Sequence, residues 1–190
     1  MREPEKRSLS SATIDVNKDE EMIIEGYALK FNEWSNDLGG FIELITPEAL
    51  KNADLSDVRC LVDHDPAKII GRTVSETLQL TVNEIGLFFR CELPNTSYSK
   101  DVYENIRLGN ISNCSFGFHL APGGEKLRKN PQTGLIERTI TSISSIFDVS
   151  VVTYPAYDAS SVELVQRSMQ KVQEAQKDMF LFLLELEKYR

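Results

Sequence analysis

The sequence predicts a mainly β protein with helices, its strands forming a small closed or nearly closed β-barrel flanked by helices. Three observations carry that expectation. Short runs rich in Val, Ile, Leu and Phe recur from Met22 to Thr153. Turn-forming Gly, Asn and Pro separate them. Only the tail beyond Val162 has a sustained helical repeat, and many short strands with few helices favour a sheet that closes on itself.

The elements follow in order. Residues 1–20 are polar and charged and read as an N-terminal arm, loose or forming a weak edge strand. Met22–Phe31 partly alternates and predicts a strand, Asn32–Gly40 is a turn-rich loop, and Phe41–Ile45 is a second strand. Thr46-Pro47-Glu48 reads as a helix start with Thr46 as cap and Pro47 at the first helical position, ending near Asn52. Strands are expected at 58–62, 68–73, 77–82 and 86–92, with Asn83–Gly86 as a hairpin turn between the last two. Val102, Tyr103 and Ile106 recur at helical spacing within 97–108, and Gly109 closes that helix. Ile111–Leu120 and Leu135–Ile143 read as strands, separated by a charged loop containing Pro122-Gly123-Gly124 and Asn130-Pro131. Ile146–Thr153 is a β-branched strand halted by Pro155. From Val162, the residues Val165, Met169, Val172, Met179, Leu183 and Leu186 step by fours and threes, with Gln176 filling one gap. This is a long amphipathic C-terminal helix, roughly 43 Å at 1.5 Å per residue. It packs across the body or pairs with a partner. The expected division is a 1–20 arm, a 21–161 barrel domain and a 162–190 helix.

Composition narrows the function. With 190 residues the chain can bury one substantial core. A net charge of −8 argues against broad nucleic-acid binding, which needs a basic face. Cys60, Cys91 and Cys114 are odd in number and lack regular spacing, so a reducing cytoplasm is expected rather than a disulfide framework. No basic-then-apolar leader opens the chain, and the longest apolar run, Met179–Leu184, cannot span a bilayer.

Three polar side chains stand out in apolar settings. His64, in Leu61-Val62-Asp63-His64-Asp65-Pro66, is one of two histidines and could act as a base. Asp63 and Asp65 flank it, but neighbours on an extended strand point away, so neither is the obvious orienting partner. The bland alternative is a surface histidine between two solvated acids. Ser115 lies between Cys114 and Phe116, and alternation puts Ser115, Gly117 and His119 on one face with Cys114, Phe116 and Phe118 on the other. Gly117 would leave room for a peptide backbone. Cys114 is a rival nucleophile, although its core position makes a thiol inert. Asp148 interrupts an apolar strand, where a carboxylate is costly to bury without a partner. Alternation places it with Ile146, Ser150 and Val152. A base, a nucleophile and an acid are the minimum for covalent acyl transfer. Backbone N–H groups near Gly117, or Arg72 through a water, are candidate oxyanion donors. A hydrolytic metal site built from Asp63-His64-Asp65 and His119 is a weaker idea, and the expected catalyst needs neither metal nor cofactor.

Together these segments resemble the prohead serine proteases of tailed bacteriophages, which are related in fold and mechanism to the herpesvirus assembly proteases. The likeness runs from about Met22 to Tyr157. It includes Gly26-Tyr27-Ala28, Ile45-Thr46-Pro47-Glu48-Ala49-Leu50, His64-Asp65-Pro66 with Ile70-Gly71-Arg72, Ser115-Phe116-Gly117-Phe118 and Val149-Ser150-Val151-Val152-Thr153-Tyr154-Pro155-Ala156-Tyr157. By that resemblance His64 is the general base and Ser115 the nucleophile. The third member is usually a glutamate just before the Val-Ser-Val run, and Asp148 holds that place here. Herpesvirus relatives use a second histidine, which makes His119 the alternative. The resemblance implies a herpesvirus-protease-like barrel that cleaves scaffold, or a scaffold-like part of the major capsid protein, and then itself. It also implies a homo-oligomer, dimeric in the herpesvirus relatives, acting in the host cytoplasm inside the immature capsid; the charge and the short apolar runs add the expectation of no nucleic-acid or membrane partner. The competing reading is a non-catalytic assembly protein that binds scaffold through the barrel and the tail helix.

Overall fold

Twelve strands, one 3₁₀ turn and one α-helix make up the described residues, 4–8, 14–16 and 22–154, of a computed structural model. In order these are β1 (Glu5–Ser8), β2 (Ile14–Val16), β3 (Ile23–Lys30), β4 (Phe41–Ile45), the 3₁₀ turn Pro47–Leu50, β5 (Arg59–Val62), β6 (Asp65–Arg72), β7 (Leu78–Val82), β8 (Gly86–Glu92), α1 (Ser97–Arg107), β9 (Asn113–Leu120), β10 (Glu125–Lys129), β11 (Ile136–Ile140) and β12 (Ile143–Val152). The tail helix expected over 162–190 lies outside the described residues.

The protein is mainly β, but its described strands do not form one closed barrel. They divide into a five-stranded sheet in the order β1-β9-β12-β5-β6, a three-stranded sheet β10-β11-β4 and a four-stranded sheet β2-β3-β8-β7. The β12–β5 and β11–β4 pairs are parallel and the others antiparallel. Most strands are visible in an apolar pattern, whereas the choice of which edges pair depends on distant segments. Here β4 leaves its sequence neighbour β3 and pairs with β11, which gives the third sheet its own edges.

Side-chain alternation explains the core. Phe41 and Ile45 on β4, Leu87, Phe89 and Cys91 on β8, and Cys114, Phe116 and Phe118 on β9 are all buried, with exposed or half-buried residues between many of them. Val102 and Ile106 bury the apolar face of α1. Its N-terminus is capped by Thr96, whose hydroxyl accepts from the Ser99 N–H at 3.3 Å, and Gly109, with φ of 77°, follows its end. Thr46 precedes the 3₁₀ turn with extended backbone but makes no side-chain cap bond, so the expected helix start yields one turn only.

Two elements depart from the sequence expectation. Glu125–Lys129, read as part of a charged loop, is β10 and pairs with β11. Ile143 opens β12 rather than closing the preceding strand, because Thr141 and Ser142 turn the chain back toward Gly124 through N–H bonds to its carbonyl at 2.8 and 3.1 Å.

The edge strand β1 is fastened by a buried ion cluster. Arg138 on β11, 1% exposed, contacts Glu5, Glu43 and Glu125, and Arg7 contacts Glu5 and Glu43. Burial alone would raise the Glu5 carboxyl. The hydrogen bonds and charges of Arg138 and Arg7 outweigh it and hold that carboxyl below the usual glutamate range.

Candidate active site

Three neighbouring strands of the five-stranded sheet bring the sequence candidates together. Ser115 sits on β9, Asp148 on the adjacent β12, and His64 follows β5 on the other side of β12. His64 Nδ1 lies 2.6 Å from Asp148 Oδ1, and its Nε2 lies 2.5 Å from Ser115 Oγ. An ionised carboxylate can only accept, so Nδ1 carries the ring proton and Nε2 turns its lone pair to the serine hydroxyl. Both the His64 and Asp148 side chains are largely buried, at 7% and 3% exposure, and Ser115 is fully buried. A low-dielectric setting strengthens these charge-assisted contacts.

His64 does not lie on an extended strand, as its neighbours suggested. Val62 on β5 pairs with Asp65 on β6, so Asp63 and His64 form a two-residue hairpin turn with φ of 50° and 56°. Positive φ at both centres is the geometry whose twist matches paired strands. It swings the imidazole out of the pleat and over β12.

The phase of β12 is set by a bulge. Ile146 pairs with Phe118 and Asp148 with Gly117, leaving Phe147 as the extra residue. Simple alternation put Ile146 beside Asp148 and Ser150. The bulge instead sends Ile146 into the core with Val149 and Val151, while Asp148 and Ser150 share the site. Gly117 is needed for this packing. A Cβ there would meet Phe147 Cε2 at 2.4 Å and Asp148 Oδ2 at 2.5 Å. The space beside Ser115 that looked reserved for a peptide backbone is filled by Phe147 and the Asp148 carboxylate.

Ser150 is a site residue that sequence reasoning placed on the Asp148 face without a role. Its buried hydroxyl donates to Asp148 Oδ1 at 2.8 Å and lies 3.1 Å from His64 Nδ1. A small polar residue two positions after a buried acid was the available signal. The backbone of β1 also reaches the site: the Ser115 hydroxyl lies 2.9 Å from the Arg7 carbonyl oxygen, a second acceptor for its single proton.

The remaining candidates fall elsewhere. His119 lies 3.2 Å from Ser145 Oγ and packs on the Phe147 ring, away from the His64 contacts. Arg72 is engaged by the Asp57 carboxylate through two hydrogen bonds of 2.7 and 2.9 Å. Cys114 is buried on the core face, and burial pushes its thiol well above the ordinary range. Asp65 accepts from the Ala67 N–H at 2.9 Å. Among the described residues no three His, Cys, Asp or Glu side chains cluster as a metal site, and no helix is long and apolar enough to cross a membrane.

A hydroxyl, an imidazole and a carboxylate in this sequence can pass a proton from the hydroxyl to the ring while the carboxylate balances the charge. No curated protein matches the chain. The solved structure of the bacteriophage T4 capsid assembly protease, gp21, is similar with a TM-score of 0.46 and 11% identity, covering 78% of this chain and 99% of that one. The model of the caudovirus prohead serine protease family matches residues 8–175, most of the sequence, and the chain belongs to that family.

Proposed function

We propose that the chain is a serine endopeptidase of capsid maturation in which Ser115 is the nucleophile, His64 the general base and Asp148 the group that orients and neutralises the imidazolium. The observation that carries this reading is the single imidazole held at 2.5 Å from Ser115 Oγ and 2.6 Å from Asp148 Oδ1. Ser115 Oγ attacks the scissile carbonyl carbon as its proton passes to His64 Nε2. The imidazolium then gives that proton to the leaving amine, and the acyl group stays on Ser115. Water, deprotonated by His64, hydrolyses the ester and restores the hydroxyl. Asp148 stays ionised throughout.

Family membership supports a substrate among scaffold or scaffold-like capsid segments, met inside the immature capsid in the host cytoplasm, with self-cleavage as a further activity and a homo-oligomer as the working form. The test compares cleavage of co-expressed scaffold and of the chain itself by the parent, Ser115→Ala and Asp148→Ala. S115A abolishes turnover and D148A leaves a reduced activity. Equal cleavage by S115A and the parent refutes the assignment.

A further inference from the structure

We infer that Asp63 is a positioning residue for the proposed serine chemistry, clasping the turn that carries His64 onto the strand that carries Asp148. The inference rests on the function proposed above and concerns how the imidazole keeps its place. Nothing in a two-residue loop by itself holds a histidine at φ of 56° over a neighbouring strand. Glycine occupies that backbone region freely, and asparagine, aspartate and histidine enter it more often than other residues but at a cost that outside contacts offset.

Asp63 supplies those contacts. Its backbone N–H donates to the Val151 carbonyl at 2.9 Å. Its carboxylate bridges to the end of β12, where Oδ1 accepts from the Thr153 N–H at 2.7 Å and Oδ2 from the Thr153 hydroxyl at 3.1 Å. The turn is therefore tied at three points, once to Val151 on β12 and twice to Thr153 just past its end, all within five residues of Asp148. The two turn residues divide the work. His64 projects into the buried site, and Asp63, itself exposed, grips the rim.

Exposure separates this role from folding. Removing the Asp63 carboxylate strands no charge in the core, and the Thr153 N–H at the surface can bond water instead. A change in reactivity without a change in fold is thus the signature of a clasp.

The experiment uses the full chain and a fluorophosphonate probe, which forms a phosphorus–oxygen bond to Ser115 with loss of fluoride. Asp63→Gly tolerates the turn backbone but lacks the carboxylate. Asp63→Asn keeps both the backbone preference and an oxygen acceptor for the Thr153 N–H. D63G lowers the maximal labelling rate about 10- to 100-fold with the probe's half-saturation within about twofold, because a misplacement near 1 Å costs about that much. D63N stays within about threefold of the parent in labelling rate, because one hydrogen-bond acceptor is preserved. In the unreactive S115A background, the downfield proton resonance of His64 Nδ1–H persists with D63N and is lost or broadened with D63G.

Parental labelling and a preserved resonance in D63G overturn the clasp. So does an equal loss in D63N and D63G, which would assign the effect to something other than the shared acceptor. Unreduced labelling of S115A refutes the serine assignment instead, and the Nδ1–H resonance then still decides for or against the clasp.

Discussion

Replacing Gly117 with alanine tests whether the site depends on the close packing of β9 against the β12 bulge. The added methyl carbon would sit 2.4 Å from Phe147 Cε2, 2.5 Å from Phe147 Cζ and 2.5 Å from Asp148 Oδ2, where ordinary contact begins at 3.4 Å. Each neighbour must therefore yield by about 1 Å. The half-buried Phe147 ring can swing aside, but the carboxylate is held through its other oxygen by His64 and Ser150. Overpacking of this kind costs about 1–3 kcal/mol, or a fall in Tm of roughly 2–12 °C for a domain of this size. A displaced Asp148 also drags or releases the imidazole, and a 1 Å error in a reacting group costs about 100-fold in rate. The assay pairs thermal unfolding with scaffold cleavage and fluorophosphonate labelling. Adding Phe147→Ala separates the two clashes, since it frees the ring space while leaving the carboxylate clash in place. The double variant regains stability but not turnover. Parental Tm and turnover in G117A refute the packing argument, and recovered turnover in the double variant refutes the role given to the carboxylate shift.

Ser150→Ala removes the hydroxyl that donates to Asp148 and is expected to lower kcat about tenfold, equivalent to ~1.4 kcal/mol, with KM within about twofold; steady-state cleavage kinetics check this. Arg138→Met leaves Glu5, Glu43 and Glu125 without their shared cation and destabilises the protein by about 3–5 kcal/mol in denaturant unfolding. The Glu5 pKa is depressed on folding, so its contribution is present above the ordinary glutamate value near 4.5 and is lost as pH falls through the lower folded value. Glu5→Gln therefore flattens the acid side of the stability profile, measured as Tm against pH. All three cysteines are buried, so a thiol reagent leaves the native protein unlabelled and Cys114→Ala keeps turnover within about threefold. Rapid native labelling with loss of activity would reinstate Cys114 as a nucleophile candidate.

His64, Ser115 and Asp148 were legible because each breaks an apolar, strand-like run, and a buried polar group must meet a partner. The route by which they meet was not legible. Asp63-His64 lacks the glycine or asparagine that announces a two-residue hairpin turn, so the local pattern read as continuous strand. Phe147 looks like any apolar strand residue, and only pairing with β9 reveals it as a bulge that changes the phase of β12. β10 is Glu-Lys-Leu-Arg-Lys, with no apolar alternation to mark it. Arg138, Glu43, Glu5 and Arg7 each look like ordinary surface charges in sequence. Their burial comes from three strands, β1, β4 and β11, that converge on one point, information no local window contains. The same limit explains the barrel expectation, since closure is a property of edges and not of strands.

Ser115 and Asp148 sit on adjacent strands of one sheet and His64 on the turn that follows the next strand, an arrangement that makes the backbone lattice a ruler for the site. Strands lie about 4.8 Å apart whatever their side chains, so a single imidazole spans from one neighbour to the other without help from long connections. Sequence drift or insertion in the segments between strands, such as the one joining β10 to β11, leaves that measure untouched. A spacing set this way is indifferent to the outer surface, which is free to change while the three side chains keep their separation.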